Sequence, residues 1–240
     1  MIAFAAIAPH GDVDADPELR AAMEELGRRC GAAEPETAIV LTPHNVHVEG
    51  HFAVVTAARV GEWETDRDLA RRLLAVELPI LGVSYGGNDP AQAEMPLDWG
   101  TEIPLQFLAA PRIAVVCPAR DRAFEEHVRL GEAIAALPGR HALIASADHA
   151  HAHRDDGPYG FDPAAAVYDA RLLEVLRSER LDFLPLAEHV EPAKADSLWQ
   201  LLMLQGAVGE DARADLLAYA APSYYGMAVA EVTGSSPRAE

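Results

Sequence analysis

Four stretches of this chain, Ile2 to Ala8, Thr37 to Leu41, Arg112 to Cys117 and His141 to Ala147, are apolar at almost every position. A strand with one face in water alternates polar and apolar residues, whereas a strand buried on both faces reads as a continuous run. Sheets of that kind are mostly parallel, with helices covering both sides. Helical patterns do fall between the runs. Asp16 is placed as N-cap with Pro17 at the first helical position, and that helix reaches about Cys30, where Gly31 can stop it. Further helices are expected over Asp66 to Ala75, Thr101 to Ala110, Asp121 to Ala136, Pro163 to Arg177 and Asp196 to Val208. Additional strands are expected at His51 to Ala57, at Ile80 to Tyr85 before a Gly86-Gly87-Asn88 turn, and at Tyr225 to Val232. The alternation argues for a single-domain α/β sandwich over residues 1–233, with a small, polar, frayed tail at 234–240.

Composition narrows the function. With 19 Lys and Arg against 38 Asp and Glu, the formal charge is −19. Such a chain repels phosphate backbones and anionic lipid, so neither nucleic acid nor membrane is an expected partner. No apolar run is long enough to span a bilayer. The first nine residues lack a basic segment and read as a buried strand, not a leader. Two cysteines, Cys30 and Cys117, are too few for a disulfide framework or thiolate metal site and fit a reducing cytoplasm. There is no dinucleotide fingerprint, Walker loop or H-E-x-x-H helix. Gly82-Val83-Ser84-Tyr85-Gly86 comes nearest to a nucleophile elbow, without an evident oxyanion partner.

The ten histidines are more telling. Three apolar runs end in imidazole: Ile7-Ala8-Pro9-His10, Val40-Leu41-Thr42-Pro43-His44, and Ser146-Ala147-Asp148-His149-Ala150-His151. Ligands of α/β sheets bind beyond the carboxyl ends of the strands, so these imidazoles should converge on one pocket. Each Pro-His pair fixes the backbone just before its ring. Neutral imidazole suits iron, zinc, copper or nickel, and two histidines with one carboxylate leave a face open on non-haem iron(II). The other histidines read as structural. His47 and His51 are expected to alternate with Val46, Val48 and Phe52 along a strand, and His127, His141 and His189 to be solvated.

At these residues the chain resembles the catalytic-subunit family of class III extradiol ring-cleavage dioxygenases, together with its Memo-like relatives. The likeness rests on Ala8-Pro9-His10-Gly11, Thr42-Pro43-His44-Asn45, Leu97-Asp98-Trp99-Gly100-Thr101, Ser146-Ala147-Asp148 with His151, residues 156–163 and Asp196-Ser197-Leu198-Trp199-Gln200. Their order and spacing carry it from His10 to about Gly206. The resemblance implies that His10 and His44 hold a metal, that His151 is the acid-base histidine, and that Asp148 and Trp99 line the substrate pocket. The family's third ligand is a glutamate near the start of a late helix; here it falls on Asp196, with Glu191 as the alternative. Trp99 stands where such dioxygenases usually carry a histidine that helps to bind the diol. It either packs the pocket wall or marks a shifted substrate class. His149 and His153 flank His151 at a spacing of two and are its possible stand-ins.

The resemblance implies an Fe2+ cofactor, with zinc possible, and a small aromatic substrate, a catecholic or aminophenol-type ring, opened with dioxygen. A Memo-like metal-binding protein without ring cleavage is the alternative, and a zinc hydrolase in the same cage a weaker one. A second copy or a small accessory subunit is a possible partner.

Overall fold

The computed structural model describes residues 1–85, 89, 91–108 and 110–234. The strands in chain order are β1 (Ile2–Ala8), β2 (Thr37–Leu41), β3 (Phe52–Val55), β4 (Arg59–Val60), β5 (Trp63–Glu64), β6 (Ile80–Val83), β7 (Glu94–Met95), β8 (Arg112–Cys117), β9 (His141–Ser146), β10 (Arg213–Ala220) and β11 (Met227–Thr233). The α-helices are α1 (Pro17–Ala32), α2 (Arg67–Leu73), α3 (Trp99–Leu105), α4 (Phe124–Ala135), α5 (Ala164–Arg177), α6 (Val190–Ala193) and α7 (Leu198–Val208). Eight strands form one sheet in the order β10-β11-β1-β9-β2-β8-β3-β6, and β5-β4-β7 make a small second sheet. The centre, β1-β9-β2-β8, is parallel throughout, while β11, β10 and the β3–β8 contact are antiparallel.

The continuous apolar runs sit where expected, in the parallel centre. Ile7, Ile39, Leu41 and Leu143 face a layer made by α2, α4, α5 and α7. Their neighbours Ala6, Ala38, Val40 and Ile144 face α1 and the end of α3. The chain is thus an α/β sandwich whose central sheet is covered on both sides. Helix α7 is buried at every position from Leu198 to Gln205, as a helix apolar all round must be. Its two glutamines make internal hydrogen bonds, Gln200 Nε2 donating to the Ser146 carbonyl at 3.2 Å and Gln205 Oε1 accepting the Phe183 N–H at 2.8 Å, while Gln200 Oε1 has no partner among the described residues. Among the described residues, no helix is long and apolar enough to cross a membrane.

Several expectations are corrected. The third strand is shorter than His51 to Ala57, and His47 and His51 do not share a strand with Val46 and Val48. Gly50 adopts φ +71° and turns the chain, so that the His51 N–H reaches the Val48 carbonyl at 3.1 Å. His127 and His141 are not solvated; both are buried. His127 donates from Nδ1 to the Ala123 carbonyl at 3.1 Å and packs edge-on against Phe52, and His141 Nε2 donates to the Pro138 carbonyl at 2.9 Å. A main-chain acceptor for each ring lowers the cost of burial. The last strand begins at Met227, leaving Tyr225 outside it, and it pairs with β10, a strand whose sequence carries no continuous apolar run. Strand β10 is a half-exposed edge strand, defined by pairing and not by burial. The turn at Gly86-Gly87-Asn88 and the tail at 235–240 lie outside the described residues.

Candidate metal centre

Because β1, β9, β2 and β8 are parallel neighbours, their carboxyl ends lie along one edge of the sheet. Pro9-His10 follows β1, Asp148 and His151 follow β9, Pro43-His44 follows β2, and Pro118-Ala119-Arg120 follows β8. Asp196 comes from the opposite direction, two residues before α7. The Nε2 atoms of His10 and His44 are 3.0 Å apart, and Asp196 Oδ2 is 3.6 Å from His44 Nε2. One ligand atom from each of these three residues lies within 4.8 Å of the others. Two imidazoles bound at about 2.1 Å and a right angle would place their nitrogens about 3 Å apart. The donor set and its spacing fit a metal ion.

The surrounding groups fix which nitrogen faces inward. The Ser146 hydroxyl donates to the Gly100 carbonyl, so its lone pairs accept Nδ1–H of His10 at 3.0 Å. That leaves the His10 Nε2 lone pair directed at the cluster, the tautomer a metal needs. Asp148 Oδ1 accepts the N–H groups of His10 and Gly11 at 3.0 and 3.2 Å, and its Oδ2 is 3.6 Å from His10 Nε2. Around His44, Asp98 caps α3 by accepting the Thr101 N–H at 3.1 Å. The same carboxylate accepts Thr42 Oγ1–H and Asn45 Nδ2–H, each at 2.9 Å. Gly100 permits this approach, since a Cβ there would overlap Thr42 Oγ1 and lie 2.9 Å from Asp98 Oδ1.

Burial sets the charge states. It lowers His10 to about 3, with the nearby His151 adding to the effect, and lowers His44 to about 4. It raises Asp148 to about 6, and it raises Asp196 even though Arg120 and His44 pull the other way. Both imidazoles are therefore neutral near pH 7 and available as ligands.

His151 stands across a cavity of about 880 Å³. Its Nδ1–H donates to the His149 carbonyl at 2.9 Å, leaving Nε2 as the free nitrogen. The rings of Tyr225, Tyr224 and Tyr159 lie 5.7, 6.0 and 6.1 Å from it. The loop that carries it is anchored by Asp169, a buried carboxylate on α5. Asp169 accepts the Ala150 N–H at 3.0 Å, His153 Nε2–H at 2.7 Å and the Tyr219 hydroxyl at 2.7 Å. His151 itself donates its backbone N–H to Ala193 at 2.9 Å, next to the Asp196 segment.

The residues expected at the site are placed as follows. His10, His44 and Asp196 are brought together; Asp148, His151 and Trp99 line the same cavity. Glu191 is at its rim, bonded to Lys194 Nζ at 2.6 Å and away from the cluster. His149 is wholly buried and His153 is held by Asp169, so neither lines the cavity. Trp99 lies over His44, with ring centres 4.6 Å apart and planes tilted by 35°. The sequence assigns no role to Ser146, Asp169, Arg120 or Tyr224, all of which the site uses. For Arg120 a signal existed, because Cys117-Pro118-Ala119-Arg120 repeats the strand-then-proline exit of β1 and β2, with a cation one residue past the position that the imidazole takes there.

Comparison with known proteins shows the family and the fold. Residues 7–230 match the family described as the catalytic LigB subunit of aromatic ring-opening dioxygenase. Protein CA_C1420 of Clostridium acetobutylicum is 22% identical over 185 residues, covering 66% of this chain and 39% of that protein. The chain therefore spans about two-fifths of the length of that curated relative. The crystal structure of the uncharacterized protein JW3007 from Escherichia coli K12 superposes with a TM-score of 0.64 at 15% identity, covering 95% of this chain and 98% of that one. At that identity the likeness is one of fold.

Proposed function

Since this chain belongs to the family of the catalytic LigB subunit of aromatic ring-opening dioxygenases, we propose that it is an iron(II)-dependent extradiol-type dioxygenase opening a catecholic or aminophenol-type ring. The grouping of His10, His44 and Asp196 within 4.8 Å carries the reading. Two imidazoles and one carboxylate would occupy one face of the ion and leave the other to substrate and dioxygen. Ferrous iron, when bound there, supplies Lewis acidity and a path for electrons between the ring and dioxygen.

The chain's own residues do the rest. His10 and His44 present Nε2 lone pairs, one of them fixed by Ser146. Arg120 engages Oδ1 of Asp196, which leaves Oδ2 on the His44 side. His151 takes a proton from a ring hydroxyl on Nε2, because Nδ1 is committed to the His149 carbonyl, and returns it as the ring opens. Tyr159, Tyr224 and Tyr225 give a flat ring an aromatic wall. Both atoms of dioxygen end in the product, and no external reductant is consumed.

Anaerobic purification with ferrous reconstitution, then exposure to air with a panel of catechols and aminophenols, tests the proposal. Stoichiometric iron and a coloured ring-fission product are expected; a protein that binds no metal, or binds it without turning over any member, overturns it. One observation favours a second reading. Trp99 covers His44 where a diol-binding histidine is usual in the family, which suits a Memo-like metal protein without ring cleavage. Tight metal with no product across the panel would be its signature.

A further inference from the structure

We infer that Arg120 is a positioning residue for the metal: it occupies one oxygen of Asp196 and so keeps that carboxylate to a single bond with the ion. The inference rests on the metal-site reading above and concerns how many positions the ion keeps open. Arg120 follows the end of β8, two residues past Pro118, and its guanidinium engages Asp196 Oδ1. The other oxygen, Oδ2, is on the ligand side, 3.6 Å from His44 Nε2. The backbone of Asp196 is pinned on both sides. Its N–H donates to the His149 carbonyl at 3.3 Å, and its carbonyl accepts Gln200 Nε2–H at 3.1 Å. With the main chain held, the freedom left to the carboxylate is side-chain rotation, and that is the motion the Oδ1 contact stops.

Arg120 is itself braced. Its guanidinium lies over the Trp199 ring, 5.0 Å from the centre, and Trp199 packs against Phe124 with ring centres 6.3 Å apart. A planar fork fixed by stacking holds its partner in one orientation better than a flexible ammonium would. Lys194, another cation on the cavity wall, is bonded to Glu191 at 2.6 Å and does not compete for Asp196. For the ion to reach Oδ1 as well, two cations would have to share one oxygen of a side chain that is only 12% exposed. Water screens such repulsion little at that burial, so a grip through both oxygens is disfavoured. The consequence is a count. A six-coordinate ion held by His10, His44 and Oδ2 keeps about three positions open. A chelating diol needs two of them and dioxygen the third, so a two-oxygen grip by Asp196 would leave one too few.

The test counts open positions without substrate or turnover. Manganese(II) bound to the protein speeds the relaxation of water protons in proportion to the exchanging waters that the ion carries. Relaxation per bound ion should fall by about one-third in Arg120→Met, from about three waters to about two, because Asp196 is then free to bind through both oxygens. Arg120→Lys keeps a donor for Oδ1 and should stay near the wild type. A residue that merely braced the fold would, on removal, cost the protein its ion without changing the count on the ions still bound. Crystals of the manganese-loaded proteins should show Oδ2 alone on the ion in the wild type and both oxygens in Arg120→Met. An unchanged count in Arg120→Met, or both oxygens on the ion in the wild type, overturns the inference. If Arg120→Met does not fold, the loaded wild-type crystal decides the matter: Oδ2 alone on the ion with Arg120 on Oδ1 upholds the inference, and any other arrangement overturns it. A wild type with this coordination that opens no ring overturns the dioxygenase reading and leaves the role of Arg120 intact. A wild type that binds no divalent ion overturns both.

Discussion

The metal end and the ring end of this cavity are built from different materials. His10 is 2% exposed and His44 hangs from a parallel strand one position further along the sheet, beyond β9, each in a web of short side-chain contacts. By contrast, Trp99 and Tyr159 are 57% and 59% exposed, and they come from the start of a short helix and from a loop. Strand ends in a buried parallel sheet cannot shift without disturbing the core, so they suit atoms whose spacing must hold to a few tenths of an ångström. Loops and exposed aromatics tolerate substitution and suit the choice of substrate. Chemistry should therefore depend steeply on the first set and selectivity on the second.

The comparison is broken most severely at the ligands. His10→Ala and His44→Ala should each abolish bound metal and all activity, with the fold retained because the sheet is held by apolar burial. Asp196→Ala should follow them, and Glu191→Ala should not, since Glu191 is tied to Lys194 at the rim. Metal analysis with circular dichroism checks all four. Full metal content in His10→Ala would remove the site from the strand ends.

A step smaller, His151→Ala should keep its metal and lose turnover by about 10²–10⁴-fold, the usual worth of a positioned acid-base group. Asp169→Asn should imitate it more weakly, because it loosens the loop at Ala150 and His153 without touching the cavity. Loss of metal in His151→Ala would make that residue a ligand instead.

Smaller again are effects that act through the first set. Ser146→Ala should weaken metal binding by about 10–100-fold, the usual cost of losing a partner that orients a ligand. The same burial makes a pH prediction. An ordinary histidine pair, with values near 6.5, would lose over about tenfold in metal affinity between pH 7.5 and 6 through competing protons. Here His10 lies at about 3 and His44 at about 4, so the imidazoles should contribute almost no such loss in that window. Metal titrations at the two pH values distinguish the cases.

What could be read beforehand follows the same division. The buried strands announce themselves because burial on both faces removes every polar residue, and the Pro-His exits mark where two of them end. Strand β10 gives no such signal, because it is held at an edge by its partner β11. The burial of His127 and His141 was equally illegible: each depends on a main-chain carbonyl three or four residues away. Asp169 reads as one more polar residue on a helix, and only the folded chain shows that three donors converge on it. Sequence periodicity reports what a residue is buried against. It does not report which polar groups meet across the molecule.

The smallest effect belongs to the residue that departs most from the family's pattern. Trp99 stacks on His44, yet more than half of it is in solvent. An aromatic pair is worth about 0.5–1.5 kcal/mol when well packed, and exposure reduces that. Trp99→Ala should thus change metal affinity by less than about threefold. Its consequence should appear in the choice of ring instead. Trp99→His restores two ring nitrogens near a bound diol, and it should shift the relative kcat/KM of catechols against aminophenols by several-fold while metal content stays constant. Competition between paired substrates in one reaction measures the ratio without reference to enzyme concentration. A large loss of metal in Trp99→Ala would place this tryptophan with the strand ends, as part of the scaffold of His44. An unchanged substrate ratio in Trp99→His would show that the ring end selects through the tyrosines, and that Trp99 only shields the imidazole beneath it.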